Sequence, residues 1–295
     1  MTKSILVSGA SGYIGSMLVR RLLRDGFDVC VILRKTSNLK LLTEFLTKIK
    51  IIYFDESSEL LETWFTVHNP IAVFHIASLF LVTHKPNQIP SLIESNIQLG
   101  TQLAEACIKN DCCFINTGTS WQSFENYDHN CVNLYAASKD AFEKILEYYS
   151  HVHRLRVVTL RLFDTYGPND PRPKIIQLLV NLAKFGGELN LSPGYQRINL
   201  VHIADIVECY IMTFNWIIKQ VHSTNVMFGV FDNCDYSLRE IVSLIEVIIS
   251  RKINVNFGSL PYRLREVMLP AKGYSSLPGW HPCVHLKDGI TELLI

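Results

Sequence analysis

Short apolar runs alternate with longer amphipathic stretches through the first 165 residues. The runs 4–8, 29–33, 51–54, 71–76, 113–116 and 157–162 are rich in β-branched and other apolar residues and lack polar alternation. Such runs are strands buried on both faces. Between them, 13–24, 39–48, 58–68, 89–109 and 134–151 read as helices, the first with Ile14, Met17, Leu18 and Leu22 on one face. This β-α-β alternation predicts an α/β fold with a doubly wound, parallel sheet and right-handed crossovers.

After residue 165 the pattern loosens. Positions 166–173, with prolines after Gly167, Asp170 and Arg172, read as a loop. Helices are expected over 174–185, 205–216 and 237–249, an extended piece over 189–191, and strands over 199–202 and 225–229. Residues 1–165 are therefore expected to hold a dinucleotide. Residues 166–295 are expected to form a small C-terminal α/β substrate lobe, with segments returning to the sheet. A crevice beside the carboxyl ends of the strands is where open α/β sheets bind ligands.

Composition narrows the partners. A net charge of +1 points to neither nucleic acid nor an anionic membrane surface. No run of 18 uninterrupted apolar residues is present, so no membrane span is expected. The N-terminus runs straight into the first predicted strand, so no cleaved signal is expected. Cys30, Cys107, Cys112, Cys113, Cys131, Cys209, Cys234 and Cys283 form no C-x-x-C pair. They read as reduced core thiols of a cytoplasmic protein, not as a disulfide or metal framework.

The segment Gly9-Ala10-Ser11-Gly12-Tyr13-Ile14-Gly15 follows a predicted strand and opens a helix. Gly9 allows a tight turn, Gly12 close backbone approach to a pyrophosphate, and Gly15 close helix–strand packing. Ser11, Tyr13 and Ile14 lie within the same turn. An acidic residue after the second strand would favour NAD through the ribose hydroxyls. Here Arg34-Lys35-Thr36-Ser37 follows instead. Arg34, Lys35 and Ser37 are candidates for a 2′-phosphate, Arg34 foremost, which favours NADP(H) over NAD(H). Asp55 is a candidate acceptor for the adenine amino group.

Tyr135 and Lys139 are four apart and share a helix face. A lysine beside a phenol favours phenolate, so the pair can exchange a proton with a carbonyl oxygen near neutral pH. A third hydroxyl at the end of the fifth strand completes the set, with Thr117, Thr119 and Ser120 as candidates.

Together these motifs resemble the extended short-chain dehydrogenase/reductases of the NAD-dependent epimerase/dehydratase type, which bind dinucleotide on a Rossmann sheet and act on nucleotide sugars. The resemblance runs through Phe74-His75-Ile76-Ala77, the N-x-x-G-T helix at Asn96–Thr101, Arg161-Leu162-Phe163-Asp164-Thr165-Tyr166-Gly167-Pro168, Arg197–Asp205 and Gly279-Trp280-His281-Pro282. Asp164 stands where asparagine is usual, and Ile198 where aspartate is. The resemblance implies that Thr119 is the catalytic hydroxyl, that Ala77 contacts the cofactor, and that a homodimer forms through helices near 96–109 and 134–151.

The family runs several reactions on one triad. A 4,6-dehydratase carries an acid and a base after the threonine, where this chain has Ser120 and Trp121. A GDP-fucose synthase carries a cysteine two residues after its hydroxyl and a histidine after Y-G-P, where Trp121 and Asn169 stand. The remaining set supports net ketone reduction or a 4-epimerisation by hydride removal and return. Finer similarity, in 114–120 and in Tyr262-Arg263 through Glu266-Val267-Met268, is to the CDP-paratose and CDP-abequose synthases, which reduce a 4-keto group for bacterial surface polysaccharide. It implies an NADPH-dependent nucleotide-sugar 4-ketoreductase. Thr119, Ser120, Asp164, Arg197 and Arg263 are its expected substrate contacts, the two arginines for the diphosphate.

Overall fold

A computed structural model describes residues 3–54 and 57–295. In chain order the elements begin with β1 (Ser4–Ser8), α1 (Tyr13–Arg24), β2 (Asp28–Leu33), β3 (Lys50–Tyr53), α2 (Ser58–His68) and β4 (Ala72–His75). Next come α3 (Ile89–Ile93), a π-helical turn (Glu94–Gln98), α4 (Leu99–Ile108), β5 (Cys113–Thr119), α5 (Leu134–His153), β6 (Arg156–Leu162) and β7 (Asp164–Tyr166). The remainder holds α6 (Ile175–Phe185), β8 (Leu189–Leu191), β9 (Arg197–His202), α7 (Ile203–Ile217), β10 (Thr224–Val230), β11 (Asp235–Ser237), α8 (Leu238–Ile249), β12 (Val255–Phe257) and α9 (Leu286–Leu294).

Seven parallel strands form the main sheet in the order β10-β6-β5-β4-β1-β2-β3. The strand order reverses between β1 and β4, which opens a crevice at their carboxyl ends. β1 and β5 are buried along their whole length, as the unbroken apolar runs require. One face packs on α1 and α7 through Leu18, Val19, Leu22, Tyr210 and Phe214. The other packs on α2, α4 and α5 through Phe65, Leu103, Phe142 and Leu146. A third apolar cluster joins α6, α8 and α9 under two small sheets, β11-β9-β7 and β12-β8.

Several elements depart from the sequence pattern. The stretch read as a helix over 39–48 is instead a 3₁₀ segment, Lys40–Phe45. Leu42 and Phe45 are buried three residues apart, and the Thr43 hydroxyl bonds back to the Leu39 and Lys40 carbonyls, which suits a three-residue turn. Leu18, Val19 and Leu22 carry the buried stripe of α1, with Ile14 and Met17 at its margin. The helix read over 89–109 is interrupted by the π turn. β5 runs three residues further than expected and so delivers Thr119 to the sheet's edge. β7, β11, β12 and α9 were not legible. The first three are three residues long, and the sequence offers too few positions to show a period.

None of the eight cysteines is disulfide-bonded, and against the expectation not all are in the core. Cys30, Cys107, Cys112, Cys113 and Cys209 are buried, Cys131 is half-buried, and Cys234 and Cys283 are exposed. Among the described residues no helix is long and apolar enough to cross a membrane. Burial pushes the Cys30 and Cys209 thiols up to about 12, and those of Cys112 and Cys113 up as well. A thiol raised on folding stabilises the native state below its unfolded value near 9 and stops doing so as pH climbs through the folded value. Lys139, lowered to about 8, acts in the opposite sense up to its ordinary 10.5. These thiols, joined by the raised Cys131 thiol and the raised Tyr135 and Tyr149 phenols, outweigh one amine, so stability should fall by a few kcal/mol between pH 9 and 10. Urea unfolding at the two pH values under reducing conditions measures this, and equal stability at both would contradict it.

Candidate functional site

A cleft of about 440 Å³ opens at the strand-order reversal. It gathers residues that lie far apart in the chain: the glycine loop, the end of β2, Ala77 and Ser78 after β4, Thr117–Trp121, Tyr135, Lys139 and Leu162–Thr165. The glycine loop owes its course to two missing side chains. Gly9 has φ +74°, and a Cβ there would stand 2.5 Å from the Ala77 nitrogen. A Cβ on Gly15 would stand 2.2 Å from the Gly9 carbonyl oxygen. Gly12 begins α1 with no side-chain cap and no acidic residue in the first turn, leaving the positive end of the helix facing the cleft.

At the end of β2, Arg34 and Ser37 close a turn through Ser37 N to Arg34 O at 2.9 Å and Arg34 N to Ser37 Oγ at 3.0 Å. Both line the cleft, and Arg34 is exposed with no ion-pair partner among the described residues. Lys35 does not line it. Asp55 lies outside the described residues.

α5 carries Tyr135 and Lys139 on one face, started by Asn133, whose side chain caps the Ala136 amide at 3.0 Å. Asn133 also donates to the Leu81 and Val82 carbonyls, tying the helix start to the loop after β4. Asn96, buried in the π turn, donates to Ser138 Oγ at 2.9 Å and accepts from Leu79 N at 2.7 Å. That turn therefore pins the same loop to the same helix. Thr119 ends β5 with its hydroxyl accepting from Trp121 N at 3.3 Å.

Lys139 is 1% exposed, and its Nζ has no hydrogen-bond partner among the described residues. Burial lowers it to about 8, with Glu143 opposing. A buried ammonium with three idle donors at a cleft wall fits the ribose hydroxyls of a dinucleotide. Tyr135 differs from the sequence expectation. Burial pushes its phenol up to about 12, held back by the Ser78 and Thr119 hydroxyls and by Arg172, and Lys139 has no resolved part in it. Its form in this cleft is the protonated one.

The expected substrate contacts divide. Thr119, Ser120 and Asp164 line the cleft, with Asp164 3.4 Å from Lys174 Nζ. Arg197 does not; its guanidinium donates to the Asp235 carbonyl and pairs with Glu240 at 3.4 Å. Arg263 is clamped by Glu266 at 2.6 and 2.9 Å and lies over the Trp121 ring at 5.5 Å, near the cleft rather than in its wall. Each arginine has an acidic or carbonyl neighbour that satisfies its donors, which spacing in the sequence does not disclose. Ser78, Phe80, Arg172 and Lys174 line the cleft and were not singled out. Phe80 meets the Tyr135 ring edge-on at 5.0 Å, and Arg172 stacks over Tyr13 at 5.0 Å while paired with Asp170. Their loop positions carry no period that would mark them.

Residues 5–226 match the NAD dependent epimerase/dehydratase family. The chain belongs to that family. Family membership makes it an NAD(P)-dependent oxidoreductase and bears out the resemblance read from its motifs. The CDP-abequose synthase of Yersinia pseudotuberculosis is 28% identical over 298 residues, covering 98% of this chain and 97% of that protein. A putative UDP-glucose 4-epimerase of Methanocaldococcus jannaschii is 24% identical over 310 residues, covering 98% and 97%. Among solved structures, the UDP-glucose 4-epimerase of Thermotoga maritima with UDP-glucose superposes with a TM-score of 0.85 at 22% identity, covering 99% of this chain and 97% of that one. These family folds share the doubly wound sheet described above.

The unpartnered ammonium yields a two-sided prediction. Lys139→Met removes a cation that the folded state holds at a depressed value, so at pH 7 the ligand-free protein should gain on the order of 2–3 kcal/mol. The same variant should bind dinucleotide at least tenfold more weakly. Thermal unfolding and nucleotide titration check both, and a destabilised variant with intact affinity would contradict the assignment.

Proposed function

We propose that the protein reduces the C4 ketone of a nucleotide-linked 4-keto-6-deoxy or 3,6-dideoxy hexose, CDP- or dTDP-linked, using NADPH. The observation that carries this reading is what stands next to the proton donor. Ser120 and Trp121 stand at the two positions after Thr119 where a dehydratase needs its second acid and base, and Phe80 packs against both Trp121, at 5.6 Å between ring centroids, and Tyr135, at 5.0 Å. The half-buried, protonated phenol is the form that a reduction consumes. The CDP-abequose synthase relatives, which span nearly the whole chain, support the same substrate class.

When bound, the nicotinamide supplies the hydride that C4 receives. Tyr135 gives its proton to the ketone oxygen, and the Thr119 hydroxyl donates a hydrogen bond to that oxygen. Lys139 holds the ribose hydroxyls. The glycine loop Gly9–Gly15, with Ser11, Tyr13 and Ile14, cradles the pyrophosphate, and Arg34 with Ser37 holds the 2′-phosphate. Residues 1–165 carry the dinucleotide and most of 166–295 the substrate. Lys174 and Arg172, which line the cleft, are better placed than Arg197 for the substrate's diphosphate. A homodimer in the cytoplasm, serving surface-polysaccharide sugar synthesis, completes the reading.

The epimerase relatives keep one alternative open, a 4-epimerase with tightly held NAD. A panel of CDP-, dTDP-, GDP- and UDP-4-keto-6-deoxy sugars with NADPH separates the two. Stoichiometric NADPH oxidation is expected, and Tyr135→Phe should lower turnover by about a thousandfold while leaving NADPH affinity within a few-fold. Arg34→Ala should cut the preference for NADPH over NADH by about tenfold or more. Cofactor-independent sugar interconversion by protein purified with bound NAD would establish the epimerase instead.

A further inference from the structure

Beneath the proposed catalytic side chains lies a buried polar network that the reading above leaves unused. Gln122, fully buried, accepts from Thr119 N at 2.8 Å and donates to Glu143 Oε1 at 2.8 Å. Glu143 Oε2 accepts from Arg161 Nη2 at 2.7 Å. Arg161 lies on β6, with Nη1 donating to Ser123 Oγ at 3.3 Å and to the Tyr274 hydroxyl at 3.4 Å. Asp140 stands 3.7 Å from the same guanidinium and accepts or shares a proton with His129 at 2.8 Å. The space is full: a Cβ on Gly118 would stand 2.7 Å from Glu143 Oε1.

Two features take this network beyond packing. It ends on the backbone of Thr119, the hydroxyl expected to meet the ketone oxygen. It also sits one helical turn past Lys139, since Tyr135, Lys139 and Glu143 are spaced by four along α5. Two carboxylates serve one guanidinium, so the cluster holds excess negative charge next to an ammonium that has no partner of its own.

We propose that Glu143 and Gln122 are positioning residues of this site: with Arg161 they fix the Thr119 backbone and hold the counter-charge that keeps Lys139 an ammonium. The inference rests on the reductase reading for the roles of Thr119 and Lys139. The groups acting around Lys139 are Tyr135 and Glu143 on α5, with Asp140 and Arg161 behind Glu143, and His75 on β4. His75 is kept neutral by burial and by Lys139 itself. Glu143 is therefore the group that opposes loss of the Lys139 proton.

NADPH titration across pH tests this without needing the sugar substrate. Wild-type affinity should fall on the alkaline side as Lys139 deprotonates. In Glu143→Gln that fall should begin roughly one pH unit lower. If the single variant does not fold, the double variant Glu143→Gln/Arg161→Gln removes the ion pair as a whole, leaves Asp140 with its His129 partner, and should shift the profile in the same direction. In turnover assays Gln122→Met should lower kcat about tenfold or more, with KM and NADPH affinity within twofold. An unshifted pH profile in the glutamate variants, or kcat and affinity falling together in Gln122→Met, would overturn the proposal. If wild-type protein binds no NADPH, the reductase reading fails first, which keeps the two failures apart.

Discussion

The buried ammonium of Lys139 is the constraint around which the site is built. A cation in that position costs stability unless something nearby compensates, and among the described residues no hydrogen-bond acceptor reaches it. The fold tolerates this because Glu143 supplies charge from one helical turn away. The donors left idle are then available to a ligand. A structure that satisfied Lys139 internally would be more stable and less able to hold a ribose, a trade familiar at functional sites.

Everything else in the cleft can be understood as holding geometry around that point. The parallel sheet brings the ends of β1, β2, β4 and β5 to one edge, and the reversal of strand order keeps that edge open. The glycine loop approaches Ala77 because Gly9 and Gly15 lack side chains. Asn96 and Asn133 fasten the loop after β4 to α5, so Ser78 and Phe80 stay beside Tyr135. Ser120 and Trp121 occupy the positions where a second acid and base would act, and Phe80 packs against both Trp121 and Tyr135, which narrows the chemistry available to the phenol.

Much of this was legible in the chain. The six strands of the first half, the glycine turn and the four-residue spacing of Tyr135 and Lys139 are local patterns, and local patterns survive into the fold. β10 was found as a strand, but its place beside β6 depends on a pairing across more than sixty residues. The 3₁₀ segment over 40–45 won over a helix because Leu42 and Phe45 are buried three apart. Arg197 was placed in the site by a motif and taken out of it by Glu240 and the Asp235 carbonyl, partners that only the tertiary structure supplies. Glu143 was readable as the next step in the Tyr135–Lys139 spacing, whereas nothing in the sequence marks Gln122. The phenol's response to burial was likewise invisible, since spacing shows the nearby lysine but not the loss of water.

The central claim is net hydride transfer to the sugar, and isotope tracing tests it most directly. With NADPH deuterated at its transferable position and a nucleotide-linked 4-keto-6-deoxyhexose, the account predicts one deuterium at C4 of the product for each NADP⁺ formed. Product carrying no deuterium at C4, or formed without NADPH consumption, would contradict it.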